Sequence, residues 1–252
     1  MHLTETCDDD TPHLITDVTT TPATTSDDDV VPTIQNQLAE RQLTPGEQIV
    51  DSGSVTADHL LTSRTDHELD LLGPVADDHR WHAKAGTGFA AAQVVIDWDA
   101  QHATCPQGQQ RVVGMDRKDR HGHAIVQITF RKPVCAAGAQ RAACTRSATE
   151  PRSVQVRERD QYVALQAARA RQQTDLFKTH YARRAGIAGT ISQGIHTGDV
   201  RRSRSIGFVK TRLLHLLLGA ARNFIRVAAW LAETPRARTR ESAFARRAPA
   251  SG

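Results

Sequence analysis

Apolar positions set the first elements of the chain. Val30, Ile34 and Leu38 recur every fourth residue, which predicts one buried face of a helix over residues 26–41. Ser26 suits the N-cap, and Asp27, Asp28 and Asp29 place negative charge where the helix dipole is positive. Leu43-Thr-Pro-Gly46 ends it. Upstream, a polar lead covers residues 1–13, and the β-branched run over 13–19 predicts a strand. Glu47-Gln-Ile-Val-Asp51 predicts a short strand closing on a carboxylate, Gly53 a turn, and residues 56–62 a second helix. Strand, turn and helix in alternation predict an α/β fold.

The rhythm changes after residue 80. Residues 81–88 read as a loop, while 89–98 and 124–130 read as strands of a small β-rich insertion. Residues 154–184 predict one long polar helix, which Gly186, Gly189, Gly194 and Gly198 then interrupt. Residues 213–231 are the most apolar stretch. Arg222 and Arg226 within it predict a buried amphipathic helix rather than a membrane span. The pattern divides the chain into residues 1–80, 81–150, 151–232 and a disordered basic tail over 233–252.

Composition adds an uneven charge. The chain has 252 residues, a net charge of +4 and only 4% aromatic residues, so its core is expected to be aliphatic. Residues 1–80 hold 17 acids against 3 bases, whereas residues 111–252 hold 9 acids against 28 bases, 24 of them arginine. Guanidinium forks pair bidentately with phosphate oxygens, so the basic part suits nucleic acid; a solvated basic face is the alternative. Cys7, Cys105, Cys135 and Cys144 are too scattered for a disulfide scaffold, and no basic and apolar leader opens the chain. A cytoplasmic location is expected.

Several stretches together resemble the C-terminal part of bacterial insertion-sequence transposases of the DDE type. They are Ile49-Val-Asp-Ser-Gly53, Tyr181-Ala-Arg-Arg184, Arg183-Arg-Ala-Gly-Ile-Ala-Gly-Thr-Ile-Ser-Gln-Gly194, Asp199-Val-Arg-Arg-Ser-Arg204, Lys210-Thr-Arg-Leu-Leu-His215 and Ala220-Ala-Arg-Asn-Phe-Ile-Arg226. An insertion opening with Cys105-Pro-Gln-Gly108 belongs to the same likeness. The resemblance implies a ribonuclease-H-like mixed sheet flanked by helices, N-terminally incomplete here. It also implies DNA transposition by metal-dependent phosphodiester cleavage and strand transfer. Two Mg²⁺ ions roughly 4 Å apart, held by three carboxylates, would stabilise the attacking and leaving oxygens.

On this resemblance Asp51 is the second carboxylate and a Mg²⁺ ligand. Tyr181 and Arg184 share a helix face with the third, whose position is Ala188. The first carboxylate is expected upstream of Met1, and Asp17 does not match it. Ser54 stands where the family has an aromatic residue. Arg183, Arg201, Arg202, Arg204, Lys210 and Arg212 are the expected phosphate contacts; interior ion pairing is the alternative, above all for Arg184. Arg222 and Arg226 divide evenly between interior salt bridges and DNA. Cys105, Cys135 and Cys144 keep three of four family zinc thiolates. Gly138 fills the fourth position, and His121 or His123 could substitute for it. The expectation is a degenerate transposase fragment, inactive by itself. The alternative is a non-enzymatic remnant that binds DNA or an intact transposase protomer.

Overall fold

The computed structural model describes residues 1–76, 78, 81–84, 88–114, 116–119, 122–198, 200 and 206–235. Arg201, Arg202, Arg204 and His121, and the tail from 236 onward, lie outside them. In chain order the elements are β1 (His2–Glu5), β2 (Ile15–Thr19), α1 (Asp27–Glu40), β3 (Glu47–Ile49), α2 (Ala57–His67), β4 (Asp70–Leu72) and α3 (Trp81–Lys84). There follow β5 (Val95–Asp97), β6 (His102–Thr104), β7 (Gln110–Val112), β8 (Asp116–Lys118), β9 (Ala124–Thr129), α4 (Lys132–Ala137), α5 (Arg141–Cys144) and β10 (Ser153–Arg157). The last are α6 (Arg159–Gln172), α7 (Asp175–Ala182), α8 (Ala185–Gly198) and α9 (Phe208–Leu231). The protein is thus a mixed α/β chain. It divides into two compact units, Met1–Ile49 with Asp175–Gly252, and Val50–Thr174.

In the first unit β1 and β2 form an antiparallel pair in which Leu3 faces Val18 and Thr4 faces Asp17. The stripe expected on α1 is buried as Val30, Ile34 and Leu38. Ser26 precedes α1 without a side-chain capping bond to its backbone. Arg41, just past α1, folds back to donate to Asp17 at 2.5 Å and to the Thr16 carbonyl at 2.8 Å. Asp17 is buried and also accepts from Thr19 Oγ1 at 2.7 Å, so it is a structural anion satisfied from two sides.

Helix α9 packs on β2. Gly219 permits the approach, because a Cβ there would lie 2.9 Å from Val18 Cγ2. Four residues on, the Asn223 amide accepts from Ile15 N–H and donates to Ile15 O, both at 2.8 Å, closing the backbone of β2 as a strand would. His215 is buried in the same seam, with Nδ1 2.8 Å from Thr20 Oγ1. Burial pushes the His215 imidazole below its ordinary 6.5. The folded state therefore resists a proton that the unfolded chain accepts. Stability from this site is present above about pH 6.5 and is lost as pH falls through the folded value. The melting temperature is expected to fall on acidification below that point, and His215→Gln to flatten the fall; an unchanged pH profile would contradict this.

The second unit is built on β9, which pairs antiparallel with β10 on one side and β8 on the other. Val126 faces Val156 and Ile128 faces Val154. These four, with Val94, Ala103 and Phe130, form an apolar core. A second antiparallel sheet runs β5-β6-β7. Gly114 follows it because a Cβ there would meet the Gln127 carbonyl at 1.8 Å. Helices α2 and α6 pack together, with Val55, Val75 and Ala168 buried beneath.

Four expectations change. Residues 154–184 are not one helix: β10 takes the first part, then α6 and α7 follow. The glycines of 186–198 do not break helix α8, because Thr190, buried with its hydroxyl 2.7 Å from Glu5 Oε2, anchors it. Residues 81–84 form a helical turn rather than loop. Helix α9 is not a buried helix; only His215 and Gly219 are buried in it.

Candidate functional site

Asp51 belongs to the second unit. Val50 N–H bonds to the Leu72 carbonyl at 2.8 Å, and Asp51 comes next, starting the 3-10 turn Ser52–Ser54. Its Oδ1 accepts from Ser54 Oγ at 3.1 Å and its carbonyl from Ser54 N–H at 3.1 Å. The turn thus holds the carboxylate half-buried just beyond the strand. Ser54, where the family resemblance expected an aromatic, is buried beneath it. Asp51 is thus engaged by its own turn.

The other expected positions belong to the first unit. The chain turns at Arg183 and Arg184, so Tyr181 closes α7 while Ala188 lies on the first turns of α8. The expected single helix face is therefore two successive helices. Tyr181 stacks on Phe177 at 5.6 Å between ring centres. Arg184 is half-buried, and Ala188 is exposed and carries no ligand atom. Arg183 Nη2 stands 3.7 Å from Asp9 Oδ2, a solvent-facing pair. His180 Nδ1 stands 3.2 Å from Glu47 Oε2.

Lys210 and Arg212 are exposed or nearly so in the first turns of α9. Arg226 is not available to DNA. It donates to Glu5 Oε2 at 2.9 Å and to the His13 carbonyl at 2.6 Å, and it also meets Thr190 Oγ1. Arg222 ties α9 to α8 through Gln193 Oε1 at 3.1 Å and Thr197 Oγ1 at 2.8 Å. Of the even choice left by the sequence, Arg226 takes the interior salt bridge, whereas the Arg222 contacts are solvent-exposed hydrogen bonds.

The three insertion cysteines converge. Cys105, Cys135 and Cys144 line one cavity of about 340 Å³ in the second unit, together with Phe130, Arg141 and Arg152. All three are free thiols. Arg152 is buried and sets the wall: it donates to the Cys144 carbonyl at 2.9 Å and to the Phe89 carbonyl at 3.1 Å, and it contacts His82. Burial, and then the neighbouring Cys105, raise the Cys144 thiol above its ordinary value, so it is protonated at neutral pH. Gly138 lines the same cavity. His123 bonds instead to Asp119 at 3.1 Å.

Among the described residues no group of three His, Cys, Asp or Glu side chains could hold a metal ion as it stands. The three thiols line one cavity without forming a metal-holding group, and a glycine stands where a tetrahedral zinc site needs its fourth ligand. The Arg226–Glu5 pair and the Arg152 clamp escaped sequence reasoning; nothing in their local patterns marks them.

No helix among the described residues is long and apolar enough to cross a membrane. No curated protein and no solved structure matches the chain. A family model does, described as Transposase DDE domain, over residues 104–228, from just before Cys105 to the last turn of α9. That stretch contains Cys105, Cys135, Cys144, Ala188 and the basic start of α9; Ile49-Val-Asp-Ser-Gly53, on which the resemblance also rested, lies outside it. Residues 104–228 thus match the transposase DDE domain family.

Proposed function

We propose that the protein is a catalytically inactive transposase relative that retains contact with DNA. The observation that carries this is Ala188, an exposed methyl group at the place where the family resemblance puts the third metal-holding carboxylate. Carboxylates of such a centre act as a unit, so removing one forfeits many powers of ten in rate. The ancestral reaction is phosphodiester cleavage and strand transfer on a ribonuclease-H-like scaffold, with Asp51 as the surviving carboxylate and Tyr181 and Arg184 as neighbours of the emptied position. Mg²⁺ would supply Lewis acidity there when held, and the residues present do not fit it.

DNA contact is supported by charge and its placement. Lys210 and Arg212 stand in the first turns of α9, where the helix dipole is already positive and cations are disfavoured. A phosphate reverses that cost. Arg183, Arg201, Arg202 and Arg204 precede them in the chain. Such contacts position the duplex without reading sequence. Binding is expected to be sequence-tolerant and to weaken steeply with salt. Losing about four phosphate contacts' worth of slope on replacing Arg201, Arg202, Arg204 and Lys210 by alanine is the expected result, read by fluorescence anisotropy. Affinity indifferent to salt would remove the DNA-binding reading.

Inactivity is tested directly. Purified protein with Mg²⁺ or Mn²⁺ is expected to leave duplexes carrying the element's ends uncut and unjoined. Metal-dependent cleavage that disappears in Asp51→Asn would overturn the proposal.

A further inference from the structure

We infer that the cysteine-lined cavity of the second unit binds a small organic monoanion, a carboxylate carried on an apolar body of medium length. The cavity holds about 340 Å³ and is built wholly within that unit. At the roughly 30 Å³ that each water takes in the liquid, this is room for about eleven non-hydrogen atoms. Phe89, Val94, Phe130 and Val134 give it apolar walls, and two cations, Arg141 and Arg152, share them. Among the described residues no aspartate or glutamate lines it. Charge taken out of water without a counter-ion is costly, so a cavity with two guanidiniums and no carboxylate selects an anion.

The deciding group is Arg141, the first residue of α5. Its Nη2 donates to the carbonyls of Ser147, Ala148 and Glu150 at 2.9, 3.0 and 3.0 Å. Those bonds pin the guanidinium, yet its Nη1 is buried with no hydrogen-bond partner. A buried donor left unmade is costly, and more so when charged. Because the fork is already fixed, a ligand oxygen gains a charge-assisted bond at little cost in ordering. The Glu150 carboxylate does not supply it: that group stands 3.6 Å from Lys132 Nζ, an exposed pair. Nor does Cys144, whose thiol burial keeps protonated at neutral pH. A monocarboxylate suits these walls better than a phosphate, because a dianion loses more hydration than mostly apolar walls return.

This inference is independent of the inactivity and the DNA contact proposed above. Isothermal titration calorimetry of the full chain, kept reduced and freed of metal by a chelator, is expected to show one octanoate bound per chain. Octanol, the same body without the charge, is expected to bind about tenfold more weakly or worse. Acetate, the charge without the body, is expected to fall at least as far. Saturating octanoate should slow alkylation of Cys105, Cys135 and Cys144 by iodoacetamide several-fold, and leave Cys7 of the first unit unchanged, read peptide by peptide by mass spectrometry. Arg141→Gln is expected to weaken octanoate about tenfold or more and to leave octanol as it was. Since Arg141 also holds three carbonyls, Gly138→Phe decides the matter if that variant fails to fold. Gly138 is exposed where it lines the cavity, and a phenyl group there is expected to block octanoate and abolish the thiol protection. No octanoate binding, octanol binding as tightly as octanoate, protection extending to Cys7, or undiminished binding in either folded variant would each overturn it.

Discussion

Gly138→Cys is expected to convert the cysteine cavity into a stoichiometric zinc site, raising Zn²⁺ affinity by several orders of magnitude. The reason is donor count. Cys105, Cys135 and Cys144 already line one cavity, and Gly138 lines it with them. A structural zinc takes four ligands in a tetrahedron, and the fourth closes it against water. The backbone accepts the change. Gly138 has φ −70, which any residue adopts, and a Cβ there would meet only the Cys135 carbonyl, at 3.4 Å, and the Val134 carbonyl, at 3.7 Å. Competition against a chromophoric chelator reads the affinity. Affinity should rise with pH, because zinc must displace thiol protons and the Cys144 thiol is held above its ordinary value. A parent and variant that bind zinc equally would show that the three thiols do not share a site with position 138.

The legible parts of this sequence were those whose signal is local. The fourfold apolar spacing of α1 named its buried face, and the β-branched run over 124–130 named β9, the middle strand of its sheet. Strand β1 was hidden in a polar lead because its stability comes from pairing with β2, not from its own residues. The glycines of α8 cost helix propensity locally, about 1 kcal/mol each relative to alanine, and tertiary contacts through Thr190 override it. The outward face of α9 was misjudged because apolarity alone does not reveal which side is covered. At the candidate site, motif and spacing marked Asp51, Ala188 and the cysteines. The turn at Arg183 and Arg184, which splits the expected helix face, carries no glycine or proline to announce it.

Arg226→Ala is expected to cost about 3–5 kcal/mol of stability, read by urea unfolding, because it strands a buried carboxylate. The Glu5 side chain is only 6% exposed, and Arg226 is its ion-pair partner at 2.9 Å. The same guanidinium also satisfies the His13 carbonyl at 2.6 Å and touches Thr190, so one side chain ties β1, the following loop and α8 to α9. Removing it leaves several buried acceptors short of a donor at once, and each orphaned group carries its own desolvation cost. Arg226→Lys should recover little, since one ammonium cannot reproduce the planar fork that reaches these partners together. Arg226→Met combined with Glu5→Gln should lose less than Arg226→Ala alone, because the uncompensated charge is then gone. If the single alanine variant proved neutral, Glu5 would have found solvent, and β1 would not be held to α9 by this pair.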